Sequence, residues 1–403
     1  MTDGMREVSP TAGLPLAWRD LLPSSASLEH NLAAFLSQPE TQIECSGTAA
    51  LVVALATLKR TSHRRSVVIP AYTCPLVAFA VAHCGLKPVL CDTRSNHFDL
   101  CPESLATVCG EDTLAVIPTH LGGRVADLAA ATAIAKNVGA SVVEDAAQSL
   151  GASWQGQPVG SIGDMGFYSL GVGKGLTIYG GGVVVARDED LRRQLRATSA
   201  EIAPYRLAWE VRRLLELLGY FALYRPAGLG LAYGLPLRRK LKKGKLIEAV
   251  GDDCSPDIPL HRVGAWRKMI GASALERLPA FLDATAAQAM YRKHQLDQIS
   301  GISVMHDVAG NIGTWPFFQV LMPTQQARDQ ALAHLWHKGL GIGRLYIHAL
   351  PDYQYLASMF SNSVTPNARD FAARMLTISN SPWLDEDDFM HICSVLEEQS
   401  LLS

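Results

Sequence analysis

Apolar positions follow two rhythms along this chain of 403 residues. Between about 47 and 187, short apolar runs alternate with longer stretches at helical spacing. The spacing predicts a helix over 47–60, opening at Ser46-Gly47-Thr48, a strand over 66–69 and a helix over 75–84. Strands follow at 88–91 and 114–118, then a helix at 126–136 and strands at 141–143, 166–170 and 182–186. Strands with few polar residues, separated by helices, form a mostly parallel sheet covered on both faces. The expected class is α/β and doubly wound, with ligands at the carboxyl ends of the strands.

After Asp188 the rhythm changes. Helix is expected over 188–202 and again, in one or two pieces, over 262–300. Strands at 302–305, 315–321 and 342–347, a helix at 325–337 and a last helix from Asp385 describe a small α+β unit. The expected division is an N-terminal segment 1–40, a large domain 41–300 and a small C-terminal domain 301–403.

Composition narrows the function classes. Hydrophobic residues make up 48% and charged ones 18%, with a net charge of -2, so the chain is globular rather than disordered. No overall positive field favours nucleic acid. No run of eighteen apolar residues spans a bilayer, and MTDGMREVSP lacks the apolar core of a secretion signal. The eight cysteines form no CxxC pair and no metal-finger spacing, which fits free thiols in a reducing cytoplasm and no metal site. Charge is unevenly spread. Residues 206–246 hold ten Lys or Arg against Glu210 and Glu216, a local +8, so the rest of the chain carries -10.

Three stretches carry candidate chemistry. Glu144-Asp145-Ala146-Ala147-Gln148-Ser149 directly follows an apolar strand, which puts a carboxylate at the ligand edge of the sheet. A helix cap is the simpler role for such an aspartate. Ser169 precedes Lys174 by five residues in a glycine-rich loop, where a lysine can approach a ligand closely. A solvated surface lysine is the alternative. Ser46-Gly47-Thr48 opens a helix, whose backbone N–H groups and dipole suit a phosphate, although a plain cap reads the same way. Taken together, a phosphate cradle, a carboxylate for a pyridinium nitrogen and an imine-forming lysine describe one cofactor.

The sequence resembles the DegT/StrS family of pyridoxal-phosphate sugar aminotransferases, of the aspartate-aminotransferase fold (fold type I). The matching residues are Ser46-Gly47-Thr48-Ala49-Ala50-Leu51, Pro70-Ala71-Tyr72-Thr73 and His120-Leu121-Gly122-Gly123. With them go Glu144 to Ala152, Gly163-Asp164-Met165-Gly166-Phe167-Tyr168-Ser169, Lys174 and Gly180-Gly181-Gly182. The resemblance is clear over 40–195, fainter from 262, and absent between. It implies that Lys174 binds pyridoxal 5'-phosphate covalently and shuttles the proton, and that Asp145 keeps the pyridine nitrogen protonated. It further implies that Gln148 lies near the ring and that Gly47, Thr48 and Ser169 hold the phosphate. The presence of Lys174, where a dehydratase branch has histidine, implies transamination.

Three positions depart from the family pattern. Cys74 stands where an aromatic residue usually stacks on the ring, so either the thiol makes a thinner contact or Tyr72 compensates. Gly264-Ala265-Trp266-Arg267 lacks the asparagine that reaches a partner subunit's cofactor. Thr177-Ile178-Tyr179-Gly180 lacks a glutamate before the glycines. His120 and His348 are read as structural or site histidines alike.

The expected function is a cytoplasmic homodimeric aminotransferase that moves an amino group, with glutamate as donor, onto a keto-sugar carried on a nucleotide. The alternatives are a lipid-linked or other membrane-associated keto substrate, and a pyridoxal-phosphate-binding regulator without turnover. Aromatic residues among leucines, ending in Arg238-Arg239-Lys240-Leu241-Lys242-Lys243, suit a segment on the anionic inner membrane surface. A helical excursion packed on a dimer partner suits the same composition.

Overall fold

Ser46 marks the point where the chain commits to its central layer. Its hydroxyl accepts the Ala49 amide at 3.0 Å and so caps the helix Gly47–Arg60. That helix is apolar almost all round because it is sandwiched between helices Pro75–His83 and Glu189–Ile202 and the strands Met165–Ser169 and Gly182–Ala186. The computed structural model describes residues 6–361 and 363–402, so the first half of the MTDGMREVSP stretch lies outside the described residues.

The seven-stranded sheet runs Gln42–Glu44, Gly182–Ala186, Met165–Ser169, Ser141–Asp145, Thr113–Val116, Ser66–Pro70, Lys87–Cys91. Only Gly182–Ala186 runs against its neighbours. The sheet is mostly parallel, as expected, and strands such as Ser66–Pro70 and Gly182–Ala186 are buried along their whole length. Helix ends shift by a residue or two from the sequence reading. The stretch 262–300 divides into Ala265–Leu275 and Leu278–Asp297, with Pro279 in the first turn of the second.

A second, antiparallel sheet has the order Ser303–Val304, Phe317–Leu321, Met375–Ser379, Ile342–Gly343. Met375–Ser379 was not anticipated, although it pairs along its full length with Phe317–Leu321. The strand expected over 342–347 stops at Gly343. There the chain turns, and Leu345 and Tyr346 become cavity walls instead.

The basic segment folds back on its own chain. It forms helices Leu207–Leu223, Pro226–Leu229, Leu235–Lys242 and Leu246–Val250, with a wide π turn at Gly230–Gly234. Leu217, Tyr220 and Tyr224 are buried in the core beneath the lysine loop, Trp209 stacks on His261 at 5.5 Å, and Phe221 meets Trp18 edge-on. The aromatics that suggested a membrane face therefore pack largely against this chain. The outward stripe is aliphatic, with Leu207, Val211 and Leu215 four residues apart.

A buried ion pair fastens the first helix of this segment, and Arg238 adds a second by pairing with the buried Glu7 at 2.6 Å. Glu210 accepts two hydrogen bonds from Arg267 at 2.8 Å each, and the fully buried guanidinium also donates to the carbonyls of Ile178 and Gly180. Truncating Glu210 leaves a buried cation without its anion, a loss that costs about 3–5 kcal/mol. Glu210→Ala is expected to lower the melting temperature sharply, and calorimetry beside Glu216→Ala, an exposed pair on the same helix, checks it.

Candidate active site

Every site residue singled out from the sequence lines one cavity of ≈ 300 Å³: Gly47, Thr48, Cys74, Asp145, Gln148, Ser169 and Lys174. It opens at the carboxyl ends of the parallel strands, as this architecture predicts.

Asp145 ends its strand, and its carboxyl is not a helix cap, because a turn rather than a helix follows. Oδ1 accepts the Ala147 amide at 3.0 Å, while Oδ2 has no partner among the described residues. Burial pushes this carboxyl up to about 6, against the pull of the Ala147 amide and the charges of Lys174 and His120. Lys174 faces the opposite penalty. Burial holds its amine below the usual lysine range, while the negative charge of the Asp145 carboxylate acts the other way. It is not the solvated surface lysine of the alternative reading, and its amine has no hydrogen-bond partner among the described residues.

At the other end of the cavity lies an anion cradle. Gly47 and Thr48 form the first turn of the capped helix, with their N–H groups unspent by the helix itself. A Cβ on Gly47 would sit 3.0 Å from the Ser169 side chain, so glycine is what keeps this cradle open. The Ser169 hydroxyl accepts the Gly171 amide at 3.2 Å, and Ser46 is spent on its cap.

Gln148 is held from both sides. The Gly122 amide donates to Oε1 at 2.7 Å, and Nε2 donates to the Tyr346 hydroxyl at 3.2 Å. Cys74 is in the wall, and burial raises its thiol to about 11, so it is neutral. Tyr72 does not compensate for it. Its ring is buried in the core, edge-on to Tyr346 and Phe371, outside the cavity lining.

Both histidines lie outside this cavity. His120 is fully buried, its Nε2 3.0 Å from Glu144 and its Nδ1 accepting the Ala126 amide. Glu144 also takes the amides of Gly160, Ile162 and Gly163, so it pins a loop while its neighbour Asp145 serves the cavity. His348 packs against Tyr353. The sequence reading overlooked Tyr346 and Thr119, which do line the cavity. Tyr346 stands two residues from His348, and its likeness to a plain core aromatic concealed it.

These residues fit pyridoxal phosphate. The lining combines an open backbone cradle, the buried Asp145 with one carboxylate oxygen unpartnered among the described residues, the Lys174 amine and, beside those two, a neutral thiol.

The fold and this donor set together define an aminotransferase-type cofactor site. The chain belongs to the DegT/DnrJ/EryC1/StrS aminotransferase family, whose model matches residues 14–203 and 264–397. A pleiotropic regulatory protein of Geobacillus stearothermophilus is 36% identical over 171 residues, 42% of this chain and 45% of that protein. The UDP-N-acetyl-3-dehydro-alpha-D-glucosamine 3-aminotransferase of Acidithiobacillus ferrooxidans is 38% identical over 152 residues, 38% of this chain and 41% of that protein. These matches span less than half the length of either relative. A sugar aminotransferase structure from Streptococcus pneumoniae, Spr1654, superposes with a TM-score of 0.75 at 18% identity, over 98% of this chain and all of that one, and so shares the fold.

Proposed function

We propose that the chain is a homodimeric, pyridoxal-phosphate-dependent aminotransferase that moves an amino group from glutamate onto a keto-sugar carried on a nucleoside diphosphate. The observation that carries this reading is the convergence of Lys174, Asp145 and the Gly47–Thr48–Ser169 cradle on one buried cavity. The cofactor supplies an electron-accepting ring. Lys174 is the one amine in the cavity wall, and desolvation keeps it ready both to bond covalently and to take or give a proton. Asp145 would offer a charge to the ring nitrogen, and Gln148 and Cys74, which line the same cavity, would help to hold the ring. The nucleotide-linked acceptor rests on relatives such as the Acidithiobacillus enzyme, whose name specifies a UDP-sugar.

The test is 2-oxoglutarate release from glutamate by the purified chain, offered UDP-, GDP- and dTDP-linked keto-sugars in turn. Release that depends on one of them is expected, and none with any would overturn the reading. The regulator alternative draws on the Geobacillus relative, named for regulation, and predicts cofactor binding without release.

We further propose that the segment 206–246 brings the enzyme to anionic membrane surfaces. Arg206, Arg239, Lys242 and Lys243 have no side-chain partner among the described residues, and Leu207 and Leu215 are 62% and 64% exposed. No helix of the described residues is long and apolar enough to cross a membrane, so attachment would be peripheral. Each engaged cation contributes about 1 kcal/mol, screened as salt rises. Co-sedimentation with phosphatidylserine vesicles at low salt, lost at high salt and on neutral vesicles, is the expected result. Protein left in the supernatant at low salt refutes attachment.

A further inference from the structure

Lys174 and Gln148 border a second cavity as well, of ≈ 260 Å³. Its wall combines the N-terminal residues Ser9 to Ala12, the long helix at Phe281, and Tyr224, Leu229 and Tyr233 of the basic segment. The segment's contribution lies outside the family match, which stops at 203 and resumes at 264.

The wall is poor in free polar groups. The Tyr224 hydroxyl donates to Ser9 Oγ at 3.1 Å, Ser9 Oγ donates to the Thr11 carbonyl, and Thr285 Oγ1 donates to the Phe281 carbonyl. Lys174 is the one charged side chain in it. A diphosphate placed here would lose water and find no cation beyond Lys174, the residue assigned to the cofactor, which is costly for a buried charge. A single uncharged ring meets aliphatic and aromatic faces instead, with the hydroxyls of Thr11, Tyr233 and Thr314 at hand. The chamber has room for one such ring.

We propose that this chamber is the subsite for the uncharged carbohydrate ring of the amino acceptor, and that Leu229 and Tyr233 set which rings are admitted. The proposal rests on the aminotransferase reading above. The nucleoside diphosphate then lies outside the chamber, and the ring reaches the Lys174 side of the cofactor cavity through the border at Gln148. Glutamate, whose two carboxylates find no partner in this wall, does not depend on Leu229.

Cyclohexanol, an uncharged six-membered ring without phosphate, is the probe. Saturation-transfer NMR on the holoenzyme should show it bound, and Leu229→Trp, which fills the chamber, should abolish the transfer. Leu229→Phe is the milder variant should the larger one fold poorly, and pyrophosphate followed by phosphorus NMR should show no change in either. In steady state, Leu229→Trp should raise KM about tenfold for whichever of the UDP-, GDP- or dTDP-linked keto-sugars is aminated, with kcat little altered. Equal cyclohexanol transfer in wild type and both variants, or none in wild type, overturns the proposal. Failure of the aminotransferase reading would appear elsewhere, as no cofactor fixed to Lys174, and would leave the cyclohexanol result standing.

Discussion

Lys174→Ala is expected to abolish transamination, by about 10⁴-fold or more, because in the proposed reading one side chain supplies both the covalent link and the proton carrier. Its amine is desolvated and has no hydrogen-bond partner among the described residues, so alanine breaks no hydrogen bond and removes only the charge that helps keep Asp145 ionised. The cofactor-free variant should melt no lower than the cofactor-free wild type. Borohydride reduction followed by peptide mapping checks the assignment directly. Cofactor fixed on the peptide containing Lys174 supports it, and cofactor fixed on any other lysine refutes it.

Asp145→Asn should leave the fold and the cradle intact while slowing turnover by about 10²-fold, the equivalent of about 3 kcal/mol for removing one partner of a buried charge pair. The loss should fall on kcat, since the proposed partner of Asp145 is the cofactor ring and not the sugar. A pH series separates charge from shape. With its carboxyl pushed up to about 6, the empty wild-type site carries a charged Asp145 above that pH and a neutral one below. Cofactor uptake by the wild type should therefore weaken as pH falls through 6, toward the level of the asparagine variant. The variant has no titrating group at this position, so uptake that falls equally in both would mean another group is responsible.

Much of this was legible because parallel strands are buried on both faces and so read as bare apolar runs. Strand 182–186 matched to the residue, and Gly47–Arg60 announced itself by its Ser cap. The same logic failed at Met375–Ser379, which follows directly on helix Pro366–Arg374 with no glycine or proline between them to separate the two periods. Asp145, Lys174 and the Gly47–Thr48 helix start were visible as motifs because loops at strand ends combine small residues with one charged group, whereas Gln148, Cys74 and the role of Ser169 came through the family resemblance. Tyr346 was hidden because an aromatic in an apolar run looks the same whether it faces a core or a cavity. The direction of the basic segment was illegible for a related reason. Its helix is apolar on two faces, and which one meets the body depends on Glu210 finding Arg267, 57 residues away.

That pair has a practical corollary for anyone re-engineering the enzyme. Arg267 grips Glu210 with one edge of its guanidinium and the carbonyls of Ile178 and Gly180 with the other, so the segment and the stretch after Lys174 share a single clasp. The segment is thus no detachable module, despite its separate charge and its absence from the family match. A shortened chain that omits 206–246 would unclasp the cofactor loop at the same stroke, and heating should release both in one cooperative step. Charge reversal at the exposed Lys242 and Lys243 alters the surface while leaving the clasp closed.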